Sequence, residues 1–414
     1  MRNNDTLDIM FLGGLFPKAL ENEIIAKSKS TIQYAANAVQ WSLVKGFNQV
    51  AGSIIVLTAP FVGVFPTGYK DLFVKSVKWR HVQGANNKAV GFCNLFGVRQ
   101  LSRGLSLSKE SKKWARRKSG KKKIMIVYSM HTPFLYAAVK AKKLDPNIHV
   151  CLICPDLPQY MNLKAKRSLA YRILKPVDVA IINRLLDSVD SFVFLTKYMA
   201  EQVNLKGRPW IVMEGIVDTE ELEESDLTNQ KKKEHLEKVV LYTGTLDFAY
   251  GIGDLLKAFE MIEDDDIHLW ICGAGEAEKK VRIAASKDKR IKYFGQVPRS
   301  EVLRLQREAD LLVNPRNDKG EFTKYSFPSK LMEYMLSGTP ALIHRLPGIP
   351  DEYFEYVFEI NENTPEGLSK SIKEALLVIG KGNSLIGDKA RDFVLLNKRN
   401  DWQAERILNL IINE

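Results

Sequence analysis

Lys330 and Glu333 stand three apart in the run YSFPSKLMEYMLSGTP, Tyr325 to Pro340. On a helix, residues at that spacing share a face. The run reads as a helix over Pro328–Leu336. Pro328 suits a first turn, where a missing N–H costs nothing. Gly338 and Pro340 suit the stop, and Ser326 suits the cap. Free N–H groups at the helix start, with Lys330 beside them, favour a phosphate. One turn on, the Glu333 carboxylate can accept paired hydrogen bonds from the vicinal hydroxyls of a ribose. A solvated Lys–Glu pair, worth a few tenths of a kcal/mol, has the same spacing. The pattern alone does not choose.

Other candidates stand where an apolar run gives way to a helical pattern. Gly244 and Thr245 close LYTGT, and Gly273 and Gly275 follow LWIC. Gly295 ends IKYFG, and Pro315-Arg316 follows LLVN. Ligands of open parallel sheets bind outside the carboxyl ends of the strands. Glycine there lets the backbone approach a phosphate. Glu278 occupies the third glycine position of the dinucleotide fingerprint, so nicotinamide binding is poorly supported. In the first half, Asp156 in CPDLP sits at a strand end, where it can orient a bound ligand or cap the next segment.

These residues are positioned by alternating strands and helices. Strands are expected at Asp8–Leu12, Ser53–Thr58, Lys123–Ser129, His149–Cys154, Ser191–Leu195 and Trp210–Met213. Amphipathic stretches fall at Pro133–Lys143 and Lys164–Leu186. The polar run Thr219–Lys238 reads as a linker. Beyond it come strands at Val239–Thr243, Ile267–Cys272, Ile291–Phe294, Leu311–Asn314, Ala341–His344 and Val357–Ile360. Helices are expected at Ile252–Ile262, Ala277–Ala285, Arg299–Glu308 and Pro328–Leu336. This alternation predicts α/β architecture with two doubly wound parallel sheets. The domains are 1–218 and 239–388, joined by 219–238. A last helix over Lys389–Ile412 packs back on the first domain in this reading.

Composition narrows the class. The chain has 414 residues, 45% hydrophobic and 27% charged, an ordinary globular balance. Neither a secretory signal nor an apolar span of about 18 residues stands out. Cys93, Cys151, Cys154 and Cys272 read as reduced core cysteines of a cytoplasmic protein. The net charge of +12 is uneven. The first 190 residues carry 30 Lys and Arg against 11 acids, and the rest 31 against 38. The basic character peaks at Lys109–Lys123, KESKKWARRKSGKKK. That run suits a solvated loop, an anionic lipid surface or, less well, nucleic acid. No nucleic-acid-binding module accompanies it.

Taken together, these blocks resemble retaining glycosyltransferases of family 4, the glycogen-synthase-like group, in the form found in bacterial surface-polysaccharide enzymes. The resemblance rests on FPSKLMEYMLSGTP and on the order of the remaining blocks. These are Phe11–Pro17, TKYMAEQV from Thr196, Glu214–Asp218, Gly244-Thr245, Gly273–Gly275 and Gly295. It implies the GT-B fold, two Rossmann-like domains facing a cleft. It implies that Glu333 holds the donor ribose, that Gly13 and Gly14 approach the donor diphosphate, and that His131 reaches the donor sugar. There are two departures. Tyr325 stands where the E-x7-E pair has its first glutamate. Ala249 and Gly253 stand near the usual Arg and Lys. Diphosphate charge then falls to Lys330, helix N-termini and Arg316.

The implied reaction moves a sugar from a nucleoside diphosphate sugar, a UDP-sugar favoured, to an acceptor hydroxyl with retention. No cofactor or metal is expected. The acceptor is a saccharide or lipid-linked saccharide at the inner membrane face, with peripheral contact to anionic lipid and no nucleic-acid partner. The alternatives are a noncatalytic or partner-dependent subunit and a sugar-nucleotide epimerase.

Overall fold

The computed structural model describes residues 6–30, 32–158, 169–218, 237–318, 320–381 and 385–413, with backbone alone for 169–174. Most of the stretch read as a linker, 219–236, lies outside the described residues. The chain divides into two compact units, Met1–Asp218 with Asn400–Glu414, and Thr219–Arg399.

Unit 1 opens with β1 (Leu7–Gly13), α1 (Lys18–Lys27), α2 (Tyr34–Ala51) and β2 (Ile55–Thr58). Four short strands follow: β3 (Phe73–Val74), β4 (Val77–Trp79), β5 (Asn87–Ala89) and β6 (Phe92–Cys93). Then come α3 (Arg99–Ala115), β7 (Lys122–Tyr128), α4 (Thr132–Lys142), β8 (His149–Cys154), α5 (Leu169–Leu185), β9 (Ser191–Phe194), α6 (Lys197–Glu201) and β10 (Trp210–Val212). The main sheet runs β10-β9-β8-β7-β1-β2-β5-β4, parallel except for the β4–β5 pair. The chain winds outward one way from β1 and the other way from β7. The topological switch point therefore lies between those two strands.

Unit 2 contains β11 (Lys238–Thr243), α7 (Ile252–Glu260), β12 (Ile267–Cys272), α8 (Glu278–Lys287), β13 (Ile291–Gly295), α9 (Arg299–Glu308) and β14 (Leu311–Asn314). It continues with α10 (Ser329–Ser337), β15 (Ala341–His344), β16 (Phe358–Ile360), α11 (Pro365–Gly380) and α12 (Leu385–Asn397). Its all-parallel sheet runs β13-β12-β11-β14-β15-β16, with its switch point between β11 and β14. These strands read as continuous apolar runs because helices cover both faces. Val240, Leu269, Leu311 and Leu342 meet Leu255, Phe259, Val281 and Ile372 in one buried cluster.

Three expectations need correction. The stretch Lys389–Ile412 is not one helix. It breaks over Lys398 and Arg399, and the backbone N–H of the next residue, Asn400, donates to Val217 O at 2.9 Å. A separate helix, α13 (Asn400–Ile412), begins there and belongs to unit 1, while α12 belongs to unit 2. Second, the basic run is no loop over Lys109–Ala115, which forms the end of α3. Lys122 and Lys123 already stand in β7. Third, Cys93 is half-buried, whereas Cys151, Cys154 and Cys272 are buried and all four are free thiols.

Helix α13 closes the core of unit 1. Ala404, Ile407, Leu408 and Ile411 pack with Leu43, Val44 and Phe47 of α2 and with Ile9, Ile124 and Ile153 of the sheet. Ile407 is wholly buried, whereas Leu396 of α12 is 72% exposed. Ile407→Ala should therefore cost about 2–5 kcal/mol of stability, and Leu396→Ala no more than about 0.5 kcal/mol. Urea unfolding checks this; equal midpoints for the two variants would show that α13 does not close the core.

Candidate functional site

In unit 2 the candidate residues collect at the carboxyl edge of the sheet. The turns after β11 and β12 lie directly against each other. A Cβ on Gly273 would stand 1.7 Å from the Gly244 carbonyl oxygen. The same turns are joined by Gly244 N–H to Cys272 O at 2.8 Å and Leu246 N–H to Ala274 O at 3.0 Å. Gly273 N–H donates to Gly295 O at 2.8 Å, bringing the turn after β13 into the row. Tyr242 fixes Thr245 from below, its hydroxyl donating to Thr245 O at 2.8 Å.

Lys330, in the first turn of α10, covers this row. A Cβ on Gly244 would lie 2.4 Å from Lys330 Cε and 2.8 Å from its Nζ. Gly244 also has φ +153°, a conformation that L side chains rarely adopt. Lys330 makes no hydrogen bond or ion pair among the described residues. Burial holds its ammonium below the usual range, against the opposing pull of Glu333 and Cys272. A cation in that position gains from an anionic ligand.

Glu333 is oriented by a residue that sequence reasoning missed. Gln306, wholly buried on α9, donates from Nε2 to Glu333 Oε1 at 2.6 Å and to Thr243 Oγ1 at 3.2 Å. Thr243 in turn meets the buried Tyr334 hydroxyl, which accepts from Thr243 N–H at 3.1 Å. Glu333 thus keeps Oε2, and one lone pair of Oε1, for a ligand. Gln306 lies 27 residues from Glu333. Only its position on an otherwise amphipathic helix, a buried amide where an apolar residue fits, carries a signal.

Arg316 follows β14 on the other side of the switch point. Its guanidinium lies 4.9 Å from the Phe322 ring and 5.6 Å from the Tyr250 ring. Its Nη2 donates to Ser326 Oγ at 2.8 Å, and its buried Nε has no partner among the described residues. Burial lowers its pKa, although it stays a cation. Ser326 is therefore not the helix cap. Its hydroxyl donates to Phe322 O at 2.9 Å, and Pro328 takes the cap position without a side-chain hydrogen bond. Tyr325, half-buried, ends the short 3-10 turn Glu321–Tyr325 just before Ser326.

Unit 1 gathers its own set at its switch point. Gly13 ends β1, and Gly14 N–H donates to Gln40 Oε1 at 2.8 Å. A Cβ on Gly14 would stand 2.5 Å from the Phe61 ring. Phe61 packs against His131 at 5.5 Å between ring centroids, and both meet Phe134. His131 caps α4 just past β7. Two residues earlier Ser129 takes φ +80°, a left-handed conformation uncommon for serine. Burial drives the His131 pKa down to about 4, helped by Arg103, so the imidazole is neutral at pH 7.

Asp156, just past β8, still reaches solvent. The protein packed around it nonetheless strips enough water to push its carboxyl up to about 6.

Replacing Gln306 by Leu keeps the volume and removes the hydrogen bond to Glu333. A hydrogen bond to a charged group contributes about 1.5–3 kcal/mol. For UDP, the nucleotide that the sequence resemblance implies, the dissociation constant should therefore rise about tenfold or more, with the unfolding midpoint little changed. Calorimetric titration measures this; an unaltered constant would remove Gln306 from the site.

No curated protein matches the chain in sequence. Solved structures match over nearly its whole length. Sucrose-phosphate synthase from Thermosynechococcus elongatus is 14% identical, with 98% of each chain covered and a TM-score of 0.62. HepE from Anabaena, in complex with UDP, is 11% identical, covering 98% of this chain and 100% of its own, at 0.63. The α,α-trehalose 6-phosphate synthase from Burkholderia multivorans is 10% identical, covering 98% and 96%, at 0.65. The fold is GT-B, and residues 224–383, which carry the Lys330–Glu333 edge, match the family model of glycosyl transferases group 1.

Proposed function

We propose that the chain transfers a sugar from a nucleoside diphosphate sugar, a UDP-sugar favoured, to a hydroxyl of a lipid-linked saccharide, with retention of configuration. The observation that carries this reading is the Lys330–Gly244 contact with Glu333 one turn on, within a group 1 glycosyltransferase domain. The HepE neighbour, solved in complex with UDP, supports the donor class.

In this reading the uridine ribose bonds Glu333, and the diphosphate lies over the Gly244 and Gly273 backbone. Lys330, Arg316 and the start of α10 stabilise the charge that develops on the leaving diphosphate. These groups are fixed before reaction, so little reorganisation is needed when the bond breaks. The departing diphosphate accepts the acceptor hydroxyl proton, which leaves no protein nucleophile to invoke. Neutral His131 donates a hydrogen bond to the donor sugar, Gly13 and Gly14 let the backbone approach the diphosphate, and Asp156 orients a hydroxyl of donor or acceptor. The charge is carried by protein cations, and activity should persist in excess chelator.

A screen of nucleotide sugars with wild type, Lys330→Ala and Glu333→Ala tests the site. Donor affinity should fall at least tenfold in each variant; unaltered affinity in both would sink the assignment. Turnover of the donor with no acceptor would instead indicate an epimerase. Asp156 adds a pH test. Its carboxylate forms as pH rises through about 6, so transfer should fall on acidification through that point. His131 stays neutral down to about pH 4 and adds no limb near 6. Asp156→Asn should abolish the limb; a profile identical to wild type would exclude Asp156 from the reaction.

A further inference from the structure

Between Leu72 and Leu144 the sequence carries eighteen Lys and Arg residues and one acid, Glu110. Helix α3, about 25 Å long, runs through the middle of this stretch. Its buried side holds Arg103, Leu107, Ser111 and Trp114. Its outer side is one stripe at helical spacing, made of Val98, Leu101, Leu105, Lys109, Lys112 and Arg116. The stripe changes character along its length. The first three are exposed apolar residues, with Leu101 64% exposed and Leu105 53%. The last three are cations. Glu110 lies off the stripe and is paired with Lys88 and Lys113.

The apolar end is extended by its neighbours. Phe96, in the loop leading into α3, is 64% exposed. Phe73, equally exposed, pairs with Cys93 across the β3–β6 ribbon. That ribbon is tied to α3 by Cys93 N–H donating to Ser102 Oγ at 2.9 Å. Beyond the basic end, Arg117 and Lys118 are exposed as well. Scattered exposed apolar residues need no explanation, but a contiguous group rimmed by one sign of charge marks an interaction surface. Lys109, Lys112, Arg116 and Arg117 form no ion pairs among the described residues.

We propose that this face docks on an anionic lipid bilayer. Phe96, Leu101 and Leu105 enter the headgroup–acyl boundary, and Lys109, Lys112, Arg116 and Arg117 lie against anionic headgroups. Each part supplies what the other lacks. Charge attraction alone is screened by salt, and a few apolar side chains alone bind a neutral surface weakly. The charge also argues against a second copy of this chain as occupant, because its own cations would face these. A nucleic acid would meet the cations but gain nothing from the apolar end. The docking extends the membrane acceptor of the proposed function. Its assay needs no sugar transfer, so either reading can fail alone.

Sedimentation with vesicles of phosphatidylcholine, with and without phosphatidylglycerol, tests the proposal on the full chain. Wild type should bind the mixed vesicles and not the neutral ones, and keep part of its binding in high salt. Lys112→Gln/Arg116→Gln/Arg117→Gln should weaken binding about a hundredfold. Leu101→Ser/Leu105→Ser should weaken it about tenfold and make the remainder fully salt-reversible. All five substituted positions lie on the outer face, and unchanged melting midpoints confirm that the variants fold. Four results would each overturn the proposal. These are no wild-type binding to the mixed vesicles, equal binding to neutral ones, full binding by the Leu variant, or a dimer that the Leu variant dissolves. Tighter binding to a DNA duplex than to the mixed vesicles would also overturn it.

Discussion

Lys330 can lie over Gly244 only because Gly244 and Gly273 lack side chains. A Cβ on Gly273 would run into the Gly244 carbonyl, and one on Gly244 into Lys330 itself. The contact sets the spacing of the turns after β11, β12 and β13, and so the shape of the edge where β11 meets β14. Glycine in such turns loses extra conformational entropy on folding. The structure places it where two backbones and a cation must share one small volume.

The candidate site is also organised by desolvated cations that, among the described residues, bond no carboxylate. Lys330 is half-buried beside glycine backbone, and the acid one turn on, Glu333, is held by Gln306 instead. Arg316 is almost fully buried between aromatic rings, bonded to a serine hydroxyl. In unit 1, Arg103 is buried against Phe92 and donates to the Pro60 carbonyl, and its charge helps keep His131 neutral. Burying a charge costs free energy that hydrogen bonds alone offset incompletely. Retaining Lys330 and Arg316 at a strand edge without internal counter-ions favours an external anion.

The sequence made the frame of the sheets readable. His149–Cys154, Ile267–Cys272, Leu311–Asn314 and Ala341–His344 are strands over the expected residues, because buried parallel strands are continuous apolar runs bounded by turn residues. Less was legible where local preference yielded to tertiary contact. The short strands β3 to β6, of two or three residues each, are too brief for any period of alternation to mark. Helix α3 carries so many cations that its buried stripe of Arg103, Leu107 and Trp114 was masked. The terminal helix breaks over Lys398 and Arg399, and the first N–H of the helix beyond, that of Asn400, goes to a carbonyl nearly two hundred positions away. At the site, Lys330 and Glu333 were visible as a spaced pair. Gln306 was not, since its relation to Glu333 exists only once α9 and α10 pack.

Tyr325 takes on a different meaning in this setting. With tyrosine there, the segment from Phe322 to Met332 contains no acid, and its charged residues are Lys324 and Lys330. Arg316 reaches the same segment through Ser326. A glutamate at 325 would stand next to that serine and offer Arg316 and Lys324 an internal counter-charge. Without it, the next acid along the chain after Glu321 is Glu333, one turn into α10. On the proposed reading, the departure thus removes a candidate contact to the donor sugar and adds no negative charge beside the diphosphate. On the proposed reading, a site with that balance recognises its nucleotide first and leaves the choice of sugar to other residues.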